Sequence, residues 1–273
     1  MLGILLLIWT VTPVYTMLLI ALDPEEGEVE FSGNLWPPEP SLESFRVVLT
    51  QDARYLEHFW RQLGNSLSIG LSTMVLTVLI ASLASFAVGR LRLGHGSLRT
   101  TTAVLTNASL LTYAIPAAFL IVPFHRIMHD YGLSNRPVAV IAAYVTFATP
   151  FAIWILRQYA RLIPIELDDA ARVDGASAVQ LYRRVYLPLM APALAVVATY
   201  ALVLAWNDYL YQFVLLSSEQ HMTAAVMQAQ LFDDADAPWN AMMAAALIYA
   251  LPPVAIFLAL RRVMMSALTR WWR

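Results

Sequence analysis

The 273-residue chain contains no cysteine. Disulfides, thiolate metal sites and thiol nucleophiles are therefore excluded, and the compartment cannot be read from redox chemistry. It contains no lysine either, since all 17 basic residues are arginine. That removes a Walker A lysine, and with it an ATP-hydrolysing P-loop on this polypeptide, as well as any Schiff-base chemistry. Charged residues make up only 13% of the chain against 59% hydrophobic, so the polar surface that would cover a water-soluble globule is missing. What fills the chain instead is a series of long apolar runs, and it reads as an all-α membrane protein. A net charge of −2 gives no electrostatic basis for binding nucleic acid.

The apolar runs predict one transmembrane domain over residues 1–273 with six spans, at 2–22, 65–88, 101–124, 137–159, 193–216 and 240–260. The first is expected to be a span rather than a cleaved signal peptide, because no basic segment precedes it and no small-x-small site lies before Asp23. Pro116, Pro123 and Pro150 fall inside spans, where neighbouring helices or a lined cavity can re-satisfy the backbone. Between the spans lie an acidic loop (23–61), a short basic turn (Arg90 to Arg99), a polar stretch (161–190), a second loop (217–238) and an arginine-bearing tail (261–273).

Arginine distribution sets the orientation. If the polar stretch 161–190 is cytoplasmic, the inner segments hold Arg90, Arg92, Arg99, Arg157, Arg161, Arg172, Arg183, Arg184, Arg261, Arg262, Arg270 and Arg273. The outer ones hold only Arg46, Arg54, Arg61, Arg126 and Arg136, together with most of the acids. Both termini are then expected inside.

The polar stretch itself predicts two short helices. Pro164 with Glu166, Asp168 and Asp169 suits a first helical turn, where a missing N–H costs little and negative charge meets the positive end of the helix dipole. Asp174-Gly175 ends that helix, Ser177 is the expected cap of the next, and Pro188 is expected to limit its continuation. Each helix should have one apolar side, formed by Leu167, Ala170, Ala171 and Val173 on the first and by Ala178, Leu181, Tyr182 and Val185 on the second. Taken by itself, such a pair could be a connector lying on the lipid surface.

The spacing Asp169-Ala170-Ala171, three residues, Gly175, nine residues, Val185-Tyr186-Leu187-Pro188 resembles the EAA loop of the membrane subunits of binding-protein-dependent ABC importers. Asp169 stands where that family usually has Glu, and Val185 where it usually has Ile. The resemblance extends more weakly from the second apolar run onward, with the maltose-type carbohydrate permeases most similar. It implies a type I importer permease with six spans, located in the bacterial inner membrane. Its loop would dock into a groove of a separate cytoplasmic ATPase through Glu166, Asp169, Ala170, Ala171, Asp174, Gly175, Val185, Leu187 and Pro188. The implied partners are a second permease subunit, two ATPase subunits that bind the ATP and Mg, an extracytoplasmic solute-binding protein, and a sugar, oligosaccharide or polyol as cargo. No cofactor is expected on this chain, which would itself be no enzyme. A non-sugar importer fits the same loop, and a self-contained channel or secondary transporter would predict inverted repeats, which the sequence does not display.

Candidate solute-facing residues cluster at Trp206-Asn207-Asp208-Tyr209-Leu210-Tyr211, because a carboxylate inside a span usually faces protein or water. Aromatic faces beside amides and carboxylates suit sugars, and maltose-type permeases resemble this chain in having a Trp-Asn-acid cluster here. Equally, Asp208 could be solvated near the interface or paired structurally, with Trp206 and Tyr209 as belt aromatics. Weaker candidates are Asn107, Ser109, Thr112, Tyr113, Thr146, Thr149 and Asn240, each equally explained by helix-to-helix hydrogen bonding. His125 and His129 have an i, i+4 spacing but lack an accompanying glutamate, so no metal is expected.

Overall fold

The structure is a computed structural model that describes residues 2–24, 35–90, 104, 111, 115–233 and 238–270. Half of the expected span 101–124, with Asn107, Ser109, Thr112 and Tyr113, lies outside the described residues, as do Arg92, Arg99 and the end of the tail. The elements in order are α1 (Leu2–Ala21), α2 (Glu43–Thr50), α3 (Phe59–Gly89), α4 (Ile121–Asp130), α5 (Pro137–Ala160), α6 (Glu166–Val173), α7 (Ala178–Asn207), α8 (Leu210–Leu215), α9 (Ala224–Asp233) and α10 (Trp239–Arg270). Among the described residues, five stretches are long and apolar enough to cross a membrane: Leu2–Ala21, Arg54–Gly89, Pro137–Ala160, Ala178–Asn207 and Trp239–Met265.

The chain divides into two compact units. One comprises Met1–Ser66 and Ser217–Val254. Its helix α1 is apolar on every side and exposed from Leu2 to Val14, the surface of a helix whose surroundings are lipid. The chain after α1 is held by backbone bonding of Ser41 to Leu22 and by Asn240, whose Nδ2 donates to the Asp23 carbonyl. Asn65 donates to the carbonyls of Gln220 and Met222, and Ser66 accepts from the Ala224 amide, which fixes the approach to α9. On α2, Arg46 pairs with Glu43 and Asp52 in full exposure. Its guanidinium bonds the Glu43 carboxyl and holds it below the usual carboxylate range. Exposed pairs of this kind add little stability.

The other unit comprises Leu67–Leu216 and Ala255–Arg273, and its centre is the packing of α5 on α7. Alanines supply much of that seam, with Ala139, Ala143, Ala148 and Ala152 buried on α5 and Ala193, Ala195, Ala198, Ala201 and Ala205 buried on α7. Small side chains let backbones approach closely, which is how helices associate where lipid removes the hydrophobic driving force. α3 comes in as closely at Gly70, where a Cβ would stand 3.1 Å from Leu202 and 3.5 Å from Trp206. Two apolar clusters result. One lies around Phe86, Leu156, Leu181, Tyr186 and Met190, and the other around Ile69, Val140, Tyr144, Tyr211 and Leu215.

Several boundaries differ from the sequence reading. The helix after Ser177 does not stop at Pro188: it runs through a π-helical turn, Leu181–Tyr186, straight into Leu187–Asn207. A proline in a regular helix lacks an N–H to give and presses on the carbonyl four residues back. The turn just before Pro188 is widened, with the Leu187 amide reaching the Tyr182 carbonyl five residues back, and the helix continues past the proline. The run 193–216, expected as one span, breaks after Asn207, with Asp208 extended at φ −78°, ψ 129° before α8 begins. In addition, α4 continues past Phe124 to Asp130, α3 starts at Phe59, and α10 carries on through Arg261 and Arg262.

Candidate functional site

The stretch 161–190 forms a hairpin at the base of α7. The C-terminus of α6 is closed by two backbone bonds, from the Gly175 amide to the Arg172 carbonyl and from the Ala176 amide to the Ala171 carbonyl, with Gly175 at φ +78°. This is the Schellman arrangement, and its left-handed residue is the reason glycine stands there. Ser177 then caps the next helix reciprocally with Gln180: its Oγ accepts from the Gln180 amide, and the Gln180 side chain accepts from the Ser177 amide.

The apolar side expected of α6 turns outward in large part. On α6 the buried side chain is Asp168, while Leu167, Ala170 and Val173 point outward, Val173 at 87% exposure. Ala171 alone of the expected apolar side packs against the core. On the following segment Leu181 is buried and Tyr182 and Val185 are half-buried, but Ala178 and Val179 are exposed. The hairpin therefore presents Leu167, Ala170, Val173, Ala178 and Val179, flanked by Glu166 and Asp174, to its surroundings.

The reason for this orientation is Arg90, directly after α3. Its guanidinium bonds Asp168 Oδ2 at 3.0 Å, the Ile163 carbonyl at 2.9 Å, and the Ala160 carbonyl at the open end of α5. Both side chains of the pair are about 5% exposed or less. Arg172, one turn after Asp168, donates back to the Arg90 carbonyl at 3.0 Å. The next helical segment is tied to α3 by Ser82 with the Tyr182 hydroxyl, 2.7 Å, and Ser85 with the Tyr186 hydroxyl, 3.0 Å, around Phe86. Sequence reading marked Asp168 only as a first-turn acid and Arg90 only as a loop charge. Their 78-residue separation left no local signal of the pairing.

The cluster at the far end of α7 is differently arranged. Trp206 is buried, Asn207 and Tyr209 are exposed, and Tyr211 is buried on α8. The carboxylate of Asp208 accepts from the Tyr144 hydroxyl at 2.7 Å and from the Tyr211 amide at 2.9 Å, the latter as an N-cap side chain does for the start of α8. Tyr211 in turn donates its hydroxyl to the Ala117 carbonyl at 2.7 Å. Of these residues, Asp208, Tyr211, Tyr144 and Ala117 line a cavity of about 210 Å³ with Ile115, Pro116, Phe147 and Leu204, and Trp206, Asn207 and Tyr209 do not. Its walls are mostly apolar, and its carboxylate and both hydroxyl protons are engaged within the protein. Thr146 and Thr149 bond the carbonyls of Ala142 and Val145 in their own helix. Asn240 belongs to the other unit, where it joins the start of α10 to Asp23.

Residues 93–270 match the family model described as "Binding-protein-dependent transport system inner membrane component". The chain is 32% identical over 266 residues to the inner membrane ABC transporter permease protein YcjP of Escherichia coli (strain K12), covering 97% of this chain and 91% of that protein. It is 30% identical over 263 residues to the trehalose transport system permease protein SugB of Mycobacterium tuberculosis (strain CDC 1551 / Oshkosh), covering 96% and 91%. Among solved structures, a bacterial ABC transporter involved in the import of the acidic polysaccharide alginate matches with a TM-score of 0.75 at 21% identity, over 95% of this chain and 93% of that one. That likeness is one of fold.

Proposed function

The chain belongs to the family of binding-protein-dependent transport system inner membrane components, and from that premise we propose that it forms half of the pathway of an ATP-driven importer for a sugar, oligosaccharide or polyol. The observation that carries the coupling role is the outward apolar face of the hairpin. Leu167 and Val173 are exposed and Asp168 is buried; a connector lying on the lipid surface would expose the same face, and retention of the ATPase by a Val173→Asp variant would favour that connector. Exposed apolar side chains rimmed by carboxylates suit a groove on a separate cytoplasmic ATPase, which would bind the ATP and Mg. Support for the cargo class comes from relatives named for trehalose, diacetylchitobiose, lactose and arabinooligosaccharides.

In operation, closure of two ATPases would draw two such hairpins together, one from this chain and one from a second permease subunit, and rock the spans between inward- and outward-facing states. A solute-binding protein would deliver cargo on the far side. With the hairpin cytoplasmic, a cysteine at Ser177 should be shielded in intact cells from an impermeant thiol reagent that labels one at Ser218.

The test is uptake into proteoliposomes holding the complete complex and binding protein, offered labelled trehalose, lactose, chitobiose and arabino-oligosaccharides. Uptake of at least one, dependent on both ATP and binding protein, is expected. Uptake that proceeds without the ATPase subunits would overturn the proposal in favour of a secondary transporter or channel.

A further inference from the structure

We propose that Arg90 is the positioning residue through which the hairpin moves the spans: a buried joint clamping the first half of the hairpin to the ends of α3 and α5. The inference rests on the importer reading above and adds to it a route for force.

The geometry assigns the joint residue by residue. Asp168 and Arg172 lie four apart on α6 and so share one face of it. Both grip residue 90, the carboxylate holding its guanidinium and the Arg172 guanidinium holding its carbonyl. The same Arg90 side chain also bonds the carbonyls of Ala160 and Ile163, the first at the C-terminal end of α5, where it also accepts from the Ile163 amide. One planar side chain thus connects α6 to α3, where it is rooted, and to α5, which packs along α7. A lysine could not do this, because a compact ammonium lacks the fork that meets a carboxylate and two carbonyls at once.

Burial gives the joint its stiffness. With side-chain exposures of 4% and 5%, the two charges are shielded from water, so α6 cannot swing away from α3 and α5 without exposing an unpaired ion in a poorly solvated site. The second half of the hairpin needs no such joint, since it continues through the π turn into α7. An ATPase pulling on the exposed face would therefore act on α7 directly, on α3 also through the Tyr182 and Tyr186 hydroxyls, and from α6 on α3 and α5 through Arg90. Among the described residues, the hydrogen bonds of the joint go to Ala160, Ile163, Asp168 and Arg172 and to none of the outward apolar side chains, so breaking it should spare docking and impair transmission.

The experiment uses the complete complex in proteoliposomes, with solute moved per ATP hydrolysed as the readout, for wild type, Arg90→Gln, Arg90→Lys and Asp168→Asn. A merely structural role would change yield or assembly and leave that ratio intact in the complexes that form. The ratio is expected to fall roughly tenfold in Arg90→Gln, within the range typical of coupling free energies, while the ATPase subunits co-purify as in wild type. Asp168→Asn leaves the guanidinium on its two carbonyls and should fall less, and Arg90→Lys should lie between. If Arg90→Gln does not accumulate, Asp168→Asn and Arg90→Lys decide alone. A wild-type ratio in the variants that assemble, or loss of the ATPase subunits as their only defect, would overturn the joint. Hydrolysis by the wild-type complex that loaded binding protein does not stimulate would instead sink the importer reading on which it rests.

Discussion

The two ends of α7 handle a carboxylate in opposite ways. At its base, Asp168 is buried, fully charge-paired with Arg90, and fastens three elements, while apolar side chains face outward. At its far end, Asp208 is half-exposed and accepts from a tyrosine hydroxyl and a backbone amide, and the helix breaks there. The difference separates rigidity from availability. The base carries a stiff frame beneath an unpartnered apolar face, which is what a docking element requires. At the far end the polar groups are engaged with one another around a small apolar cavity, which makes Asp208 first a residue that shapes the helix break and only secondarily one that could meet a solute.

The sharpest break of this comparison comes at the docking face. Val173→Asp puts a charge where an apolar contact is proposed, on a side chain that touches little of its own chain. The isolated subunit should keep its stability and the complex should lose its ATPase, seen as a missing band on co-purification.

A smaller effect is expected at the far end. Asp208→Ala removes the acceptor for Tyr144 and for the Tyr211 amide and should cost about 1–3 kcal/mol of stability, read as a lowered unfolding midpoint. Asp208→Asn, whose amide oxygen can accept both bonds, should stay close to wild type in stability and uptake. If Asp208→Asn abolishes uptake while assembly and basal hydrolysis survive, Asp208 contacts solute and the contrast between the two ends is lost.

The least effect belongs to Thr149, whose hydroxyl only bonds the Val145 carbonyl of its own helix. Thr149→Val should alter stability by less than about 1 kcal/mol and leave uptake unchanged. Reduced uptake at unchanged stability would restore Thr149 as a path residue.

What the sequence made legible follows from how local each signal is. The Gly175 turn and the Ser177 cap with Gln180 are settled within a few residues, and the structure builds both. The direction in which α6 faces depends on Arg90, far off in sequence, whereas periodicity marks an apolar side of α6 at Leu167, Ala170, Ala171 and Val173 without fixing which way that side points. Pro188 was read as a stop because proline opposes a regular helix, but a π turn accommodates it. The break at Asp208 was hidden in a run whose hydropathy never falls, because one carboxylate capping α8 leaves the surrounding composition apolar. The helix-end acids Glu166 and Asp169 were recognisable as first-turn residues, yet nothing in their spacing distinguished them from Asp168, the one that turns inward.

The account stands on the hairpin as the coupling element, and Gly175→Val tests that most directly. No neighbouring atom would lie within 4 Å of an added Cβ, so the substitution acts through the backbone alone, at φ +78°, where a side chain costs about 1–2 kcal/mol. It should shift the second half of the hairpin relative to α6 while leaving insertion of the spans intact. The measurement is ATP hydrolysis by the purified complex with and without loaded binding protein, at equal subunit content. The account predicts that Gly175→Val either loses the ATPase or keeps it with hydrolysis no longer stimulated. Wild-type stimulation together with wild-type uptake would contradict it, and the stretch 161–190 would then be a connector and nothing more.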